Sequence, residues 1–458
     1  MRRALALVLL AVAPASTYAQ AERYELGRRL KRFEEAWEKQ PDPAARKRAA
    51  AILPDITPMF FSLRFGDAGK TLDRARHLLA GAEPSPETQW LESLYVVPEK
   101  VLYTNEKEVV VTVKPFYAIK GDPPPGATAI LEWRKEKPVS VALTKFPARI
   151  AFPLDSTDKN HRFGKLQFTV TRDDKLVSQS TQYISWSADL SERIEAYRNF
   201  AKQSPPSIES ATVKDRAELL EELAEGTIPE NDVLADSLIS MADRIISTPA
   251  YFRRGNPGQF LLSVPLEKKK TQPLRLFVPK GLDAKKPVPI VVALHGAGGS
   301  ENLFFEGYGA GHIVKECEKR GWLLVAPRSP LGFGSGPPVK TILDALGERY
   351  PIDRSKVFLV GHSMGAAQTV ALCQENPGLF AAAAALGGGG GRVKQAAFAK
   401  LPFFIGVGDK DFALAGAKAL AKALPVATFK EYTGLEHMLI VREALPDVFA
   451  IWDGLAKY

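Results

Sequence analysis

One stretch constrains this chain more than any other: Val357-Phe358-Leu359-Val360-Gly361-His362-Ser363-Met364-Gly365-Ala366-Ala367. An apolar run of strand type ends in Gly-His-Ser-Met-Gly and passes directly into an Ala-rich segment of helical character. That context gives a G-x-S-x-G match its meaning, a sharp strand-to-helix turn that exposes a nucleophilic serine. Gly361 and Gly365 must lack a Cβ for strand and helix to approach so closely. Ser363 Oγ then stands at the strand tip, with the N–H of Met364 facing the same space. So short a pattern also recurs by chance, and the rest of the chain has to supply a base, an acid and a second oxyanion donor.

From about residue 251 the chain alternates strand and helix. Residues 260–266 and 274–279 flank the polar stretch 267–271 and read as a hairpin. Strands are expected at 288–294, 322–327, 357–360, 380–386, 403–407 and 427–432. Helices are expected at 312–320, 339–350, after Ser363, at 415–423 and at 447–457. An antiparallel hairpin feeding a parallel sheet, with Ser363 after the middle strand, is the α/β-hydrolase order.

In that order the acid and then the histidine follow the serine along the chain. Of six histidines only His437 lies beyond Ser363, just past the last expected strand. It is the candidate base. The acid should follow strand 403–407, where Gly408-Asp409-Lys410-Asp411 offers two carboxylates. Asp411, one turn further from the strand end, is favoured over Asp409, which suits a turn cap. The loop His295-Gly296-Ala297-Gly298-Gly299 should bring the N–H of Ala297 beside that of Met364 to hold a developing oxyanion. It lacks the Gly-Lys-Ser/Thr ending of a phosphate loop and the spacing of a dinucleotide fingerprint, so no cofactor is expected. His295 and His362 read as packing residues of their turns. Gly387 to Gly391 follow a strand end that borders the nucleophile, where bulk would crowd it. No His-x-x-x-His or Cys-x-x-Cys spacing suggests a metal.

The half before this domain reads differently. With 458 residues the chain is long enough for two or three domains, and 45% hydrophobic with 25% charged residues is an ordinary globular balance. Residues 1–21 resemble an export signal: Arg2-Arg3, an apolar core at 5–13 too short to span a bilayer, then small residues. Removing its two arginines would lower the formal charge from +9 to +7. Lys268-Lys269-Lys270 is the densest basic cluster in a dispersed set, a solvated surface and not a nucleic-acid groove. Residues 22–90 read as a small helical segment without chemical motifs, its first helix turning Tyr24, Leu30, Phe33 and Trp37 to one side. Short strands from 91 to 187 suggest a β-sandwich-like domain. Residues 188–250 read as a helical connector, and 251–458 as the α/β-hydrolase catalytic domain. Cys317 and Cys373 are compatible either with a disulfide or with two buried thiols.

Residues 260–458 resemble secreted α/β-hydrolases of the polyhydroxybutyrate-depolymerase/feruloyl-esterase-like group, also similar to the prolyl-oligopeptidase (S9) catalytic domain. The resemblance is carried by Leu294-His295-Gly296-Ala297-Gly298-Gly299, Tyr350-Pro351-Ile352-Asp353-Arg354-Ser355-Lys356-Val357, Gly361 to Gly365, Gly408 to Asp411 and Glu436-His437. It implies Ser363 as nucleophile, Asp411 as acid, His437 as base and an oxyanion hole from Ala297 and Met364. Ala366 stands where these enzymes often have a further Gly, and residues 22–250 show no β-propeller character.

Together these features lead us to expect an exported serine hydrolase acting on a small-molecule or polymer-borne ester. Phe304, Phe305, Tyr308 and Phe333, with Leu303 and Leu331, are candidates to line an apolar pocket. An S9-like peptidase competes, because one triad serves esters and amides alike. A catalytically degenerate envelope- or carbohydrate-binding protein is the alternative of another class. No nucleic-acid partner and no membrane insertion are expected, and the oligomeric state stays open.

Overall fold

The computed structural model describes residues 17–155, 162–227, 234–330, 336–390 and 393–457. Most of the expected export signal, Leu331, Phe333 and Gly391 lie outside these residues.

Five helices open the chain: α1 (Thr17–Lys39), α2 (Pro43–Ala50), α3 (Ile56–Phe61), α4 (Phe65–Leu79) and α5 (Pro86–Glu92). Pro43 starts α2 at a position that needs no N–H, and Asp42 caps it by accepting from Ala44 and Ala45 at 3.0 and 3.1 Å. α1 buries Leu26, Leu30, Phe33 and Trp37, a stripe at helical spacing. Tyr24, expected on that stripe, is half-buried beside it.

The sandwich comprises β1 (Leu94–Pro98), β2 (Leu102–Tyr103), β3 (Glu108–Pro115), β4 (Ala127–Trp133), β5 (Val139–Ser140), β6 (Ala148–Pro153), β7 (Phe163–Arg172) and β8 (Lys175–Trp186). A sheet of order β1-β3-β6 faces one of order β2-β8-β7-β4-β5. Alternate residues Val109, Val111 and Val113 of β3 and Leu166, Phe168 and Val170 of β7 fill the space between. β8 is the long strand that the apolar pattern did not reveal. Only its last residues, Ile184 to Trp186, are fully buried, so Ser, Thr and Gln serve along the rest. It is joined to β7 by Asp173-Asp174, both at positive φ, as a two-residue hairpin turn of that hand requires.

Helices α6 (Leu190–Gln203), α7 (Ile208–Ala224) and α8 (Ala235–Ser247) follow. Val213, Ala217 and Leu220 of α7 share one core with Phe260, Leu262 and Val264 of β9 (Gly258–Pro265), so these helices pack into the hydrophobic core of the last sheet.

The last sheet adds β10 (Thr271–Val278), β11 (Val288–Leu294), β12 (Leu323–Pro327), β13 (Ile352–His362), β14 (Ala382–Leu386), β15 (Phe403–Gly408) and β16 (Ala427–Tyr432), in the order β16-β15-β14-β13-β11-β12-β10-β9. β10 runs antiparallel to both neighbours and every other pair beyond it is parallel. This is an α/β fold with the expected hairpin-then-parallel order, and Ser363 follows the middle strand. Helices α9 (His312–Arg320), α10 (Val339–Gly347), α11 (Met364–Glu375), α12 (Leu414–Ala423) and α13 (Leu439–Ala456) complete it. Both sheet faces are covered: Ile290, Val292 and Leu294 enter one core and Val291 and Ala293 the other.

The closing helix was expected at 447–457 but begins at Leu439 and contains Pro446. Its start is fixed by the side chain of Glu436, which accepts the N–H groups of Met438 and Leu439, both at 2.8 Å. The apolar residues Leu439, Ile440, Val441, Ala444 and Leu445 are almost completely buried, and their packing outweighs the break that a proline signals in sequence. Cys317 and Cys373 are both buried free thiols, in separate cores on the two sheet faces.

Candidate active site

The turn after β13 has the tightness its glycines imply. A Cβ on Gly361 would lie 2.0 Å from the carbonyl oxygen of Gly365, and one on Gly365 would lie 2.1 Å from that of Leu294. Between them Ser363 sits at φ 56°, ψ −115°, a conformation that costs a residue with a side chain about 1–3 kcal/mol. Its N–H is held by the carbonyl of Leu386 at 2.9 Å. Met364 begins α11 and is almost completely buried.

His437 and Asp411 meet although they lie in different loops. Nδ1 of His437 is 2.9 Å from Asp411 Oδ1 and 3.0 Å from Oδ2, and both side chains are buried. Asp411 Oδ1 also accepts the N–H of Ala413 at 2.8 Å. Asp409 is engaged elsewhere, accepting the N–H of Gly434 at 2.7 Å. Ser363, His437 and Ala297 border one cavity of about 180 Å³.

Glycines clear the space around this group. A Cβ on Gly387 would lie 3.0 Å from Asp411 Oδ2, and one on Gly388 would lie 2.8 Å from the Ser363 carbonyl oxygen. The crowding expected of the Gly run is thus found at Gly387 and Gly388, whereas a Cβ on Gly389 would meet Leu420 and one on Gly390 would meet nothing within 4 Å. Similarly, a Cβ on Gly296 would lie 3.2 Å from Ser363 Cβ.

The other two histidines of the region are structural. His295 Nε2 accepts the N–H of Ser329 at 2.9 Å, and its Nδ1 is 2.9 Å from the carbonyl of Gly296. Burial pushes its pKa down. His362 lies 2.8 Å through Nε2 from the carbonyl of His437, and 2.6 Å through Nδ1 from the hydroxyl of Tyr308. A carbonyl only accepts, so Nε2 carries the proton and Nδ1 accepts from Tyr308. The Tyr308 hydroxyl in turn accepts the N–H of Gly296 at 3.3 Å. One buried chain of hydrogen bonds thus joins the glycine loop to the loop carrying His437.

Burial holds His362 well below the ordinary histidine pKa, with the neighbouring His437 acting in the same direction. The imidazole is therefore neutral in the fold and takes a proton in the unfolded chain below about pH 6.5. The unfolded state binds more protons there, so stability falls with falling pH by up to about 1.4 kcal/mol per unit and is unaffected above. We expect urea unfolding of a His362→Gln variant to differ most from wild type at pH 7.5 and less at pH 5. A gap of constant size would show that His362 is not held neutral.

Glu436, missed as a site residue, is buried beside His437. Burial raises its pKa to about 7, opposed by the two N–H groups that it caps. Its one sequence signal was adjacency to His437, because the helix whose first N–H groups it accepts was expected to begin only at 447.

The pocket expectations need correction. Phe304 and Phe305 are buried in the core beneath α9 and do not line the cavity. Their segment forms a π-helical turn, Leu303–Gly307, that turns Leu303 toward the cavity and both rings inward. Tyr308 does border the cavity, with its hydroxyl committed to His362. The apolar wall comes instead from the opening helices, which sequence reading left without chemistry: Leu26 and Leu30 of α1, Ile56 and Phe60 of α3, and Leu72 of α4. Among the described residues no group of His, Cys, Asp and Glu is placed to hold a metal, and no helix is long and apolar enough to cross a membrane.

No family model matches the chain. A curated protein, "Probable acetylxylan esterase A" of Neosartorya fischeri, is 31% identical over 124 residues, which is 24% of this chain and 32% of that protein. The chain thus spans about a third of the length of the curated relative it matches. Similar solved structures include a ferulic acid esterase (17% identity, TM-score 0.37, covering 44% of this chain and all of that one). A feruloyl esterase module from Clostridium thermocellum is 16% identical with TM-score 0.35, covering 46% and 93%. A thermostable esterase is 17% identical with TM-score 0.38, covering 79% of this chain and 99% of that one.

Proposed function

We propose that this chain is a serine hydrolase that cleaves carboxylic esters through an acyl-enzyme. The observation that carries the reading is one cavity shared by a strained serine and a histidine whose Nδ1 is bonded to a buried carboxylate. In the proposed mechanism Ser363 Oγ attacks the ester carbonyl carbon while His437 Nε2 takes its proton. The carbonyl π bond opens and its electron pair moves to oxygen, which the N–H groups of Ala297 and Met364 stabilise. Collapse of this intermediate breaks the bond to the alkoxide, which leaves with the proton from His437. Water then repeats the sequence on the acyl-enzyme, releasing the acid and restoring Ser363. Asp411 holds Nδ1–H throughout, keeping Nε2 free to accept and stabilising the imidazolium.

Export is part of the proposal, supported by Arg2-Arg3 and the apolar run that follows. A fluorophosphonate probe should label the folded chain at Ser363, and a panel of aryl esters and peptides should show turnover of the esters. Absence of labelling in folded protein would return the binding-protein reading. Cleavage of peptides but not esters would return the peptidase one.

A further inference from the structure

The catalytic domain lines its cavity with a glycine-rich loop and with the side chains of Leu303, Glu306, Tyr308, His437 and Met438. On the loop side Gly296, Ala297, Gly298 and Gly299 present almost no side-chain bulk. The apolar volume on the opposite side belongs to helices that precede the sandwich. On α1, Leu26 and Leu30 are one turn apart; on α3, so are Ile56 and Phe60. Each pair therefore faces the cavity as a ridge, and all four border it.

These helices are seated on the site. The Arg23 guanidinium donates to the carbonyl of Gly298. Phe60 lies against the same glycine, where an added Cβ would come 2.8 Å from its ring. Leu26 and Leu30 share a core with Leu435 and Leu439, which flank His437 in the chain. The wall is thus packed on both loops that border the serine.

We propose that α1 and α3 form the acyl-binding wall, so that the opening helical segment sets which esters this chain accepts. The inference rests on the serine-hydrolase reading of the same cavity. A cavity of about 150 Å³ lined by Leu, Ile and Phe holds one benzene molecule. The volume here, about 180 Å³, suits an acyl group with one aromatic ring or a short alkyl chain of similar size. A long fatty acyl chain exceeds the walled part of this cleft, which opens to solvent, and leaves its far end unburied. Selection acts through burial, because an acyl group that fits loses its apolar surface to Leu26, Leu30, Ile56 and Phe60, and a longer one must displace them or leave its end in water.

The test compares p-nitrophenyl hexanoate with p-nitrophenyl laurate in wild type, Leu30→Ala and Phe60→Leu, with fluorophosphonate labelling of each. Wild type should prefer hexanoate. Both substitutions enlarge the cavity and should raise the laurate-to-hexanoate ratio of kcat/KM by about ten-fold. Phe60 is only half-buried, which keeps the test open should Leu30→Ala not fold. An unchanged ratio in variants that still take the probe overturns the assignment to α1 and α3. A wild-type chain that takes no probe overturns the hydrolase reading beneath it.

Discussion

Replacing Ser363 with Ala is expected to lower kcat for p-nitrophenyl ester hydrolysis by about 10⁴-fold or more. The hydroxyl oxygen is the only heavy atom removed, and the covalent step has no other nucleophile in the proposed mechanism. Alanine adopts φ 56° with the same difficulty as serine, so the turn keeps its shape and its strain. The N–H groups of Ala297 and Met364 and the cavity walls remain, which leaves substrate binding and some residual electrostatic catalysis. KM should therefore change little, and the variant should unfold at the same urea concentration as wild type. Steady-state kinetics on purified protein would decide the matter, and turnover equal to wild type would falsify the proposed role of Ser363.

Asp411→Asn should have the second largest effect, about 10⁴-fold in kcat. The carboxylate accepts from His437 Nδ1 with both oxygens near 3 Å. An amide in its place can donate to Nδ1, which moves the imidazole proton to Nε2 and removes the base that Ser363 needs. Asp409→Asn is the control, two residues away in the same loop. Its carboxylate accepts from the N–H of Gly434, a contact that the amide oxygen can still make. Its kcat should stay within about ten-fold of wild type. Equal losses in the two variants, or a larger loss for Asp409→Asn, would reverse the choice of acid.

Both candidate acids were within reach of the sequence because they lie at the end of one strand, and strand ends are legible from apolar runs. β11, β13 and β15 are fully apolar where both faces are covered, so they read clearly without any alternation. Gly361, Gly365, Gly387 and Gly388 were legible for another reason, since each clears a contact made by residues close to a strand end. β8 and the first half of α13 were not legible. β8 is stabilised by its ladder with β7 along a largely polar strand, and α13 by burial that compensates for Pro446.

The local order of the chain determined which residues meet at the serine. Ser363, Asp411 and His437 each follow a strand of one sheet, and parallel strands place their ends along a common edge. Motif and strand order were enough to name all three as candidates. Only the tertiary structure decided what faces them. Leu26, Leu30, Ile56 and Phe60 lie some three hundred residues from Ser363, and at helical spacing any such apolar ridge reads simply as a core face. Whether a ridge closes a core or walls a cavity depends on what packs opposite it. Here that partner is a loop of glycines, whose missing side chains leave the space.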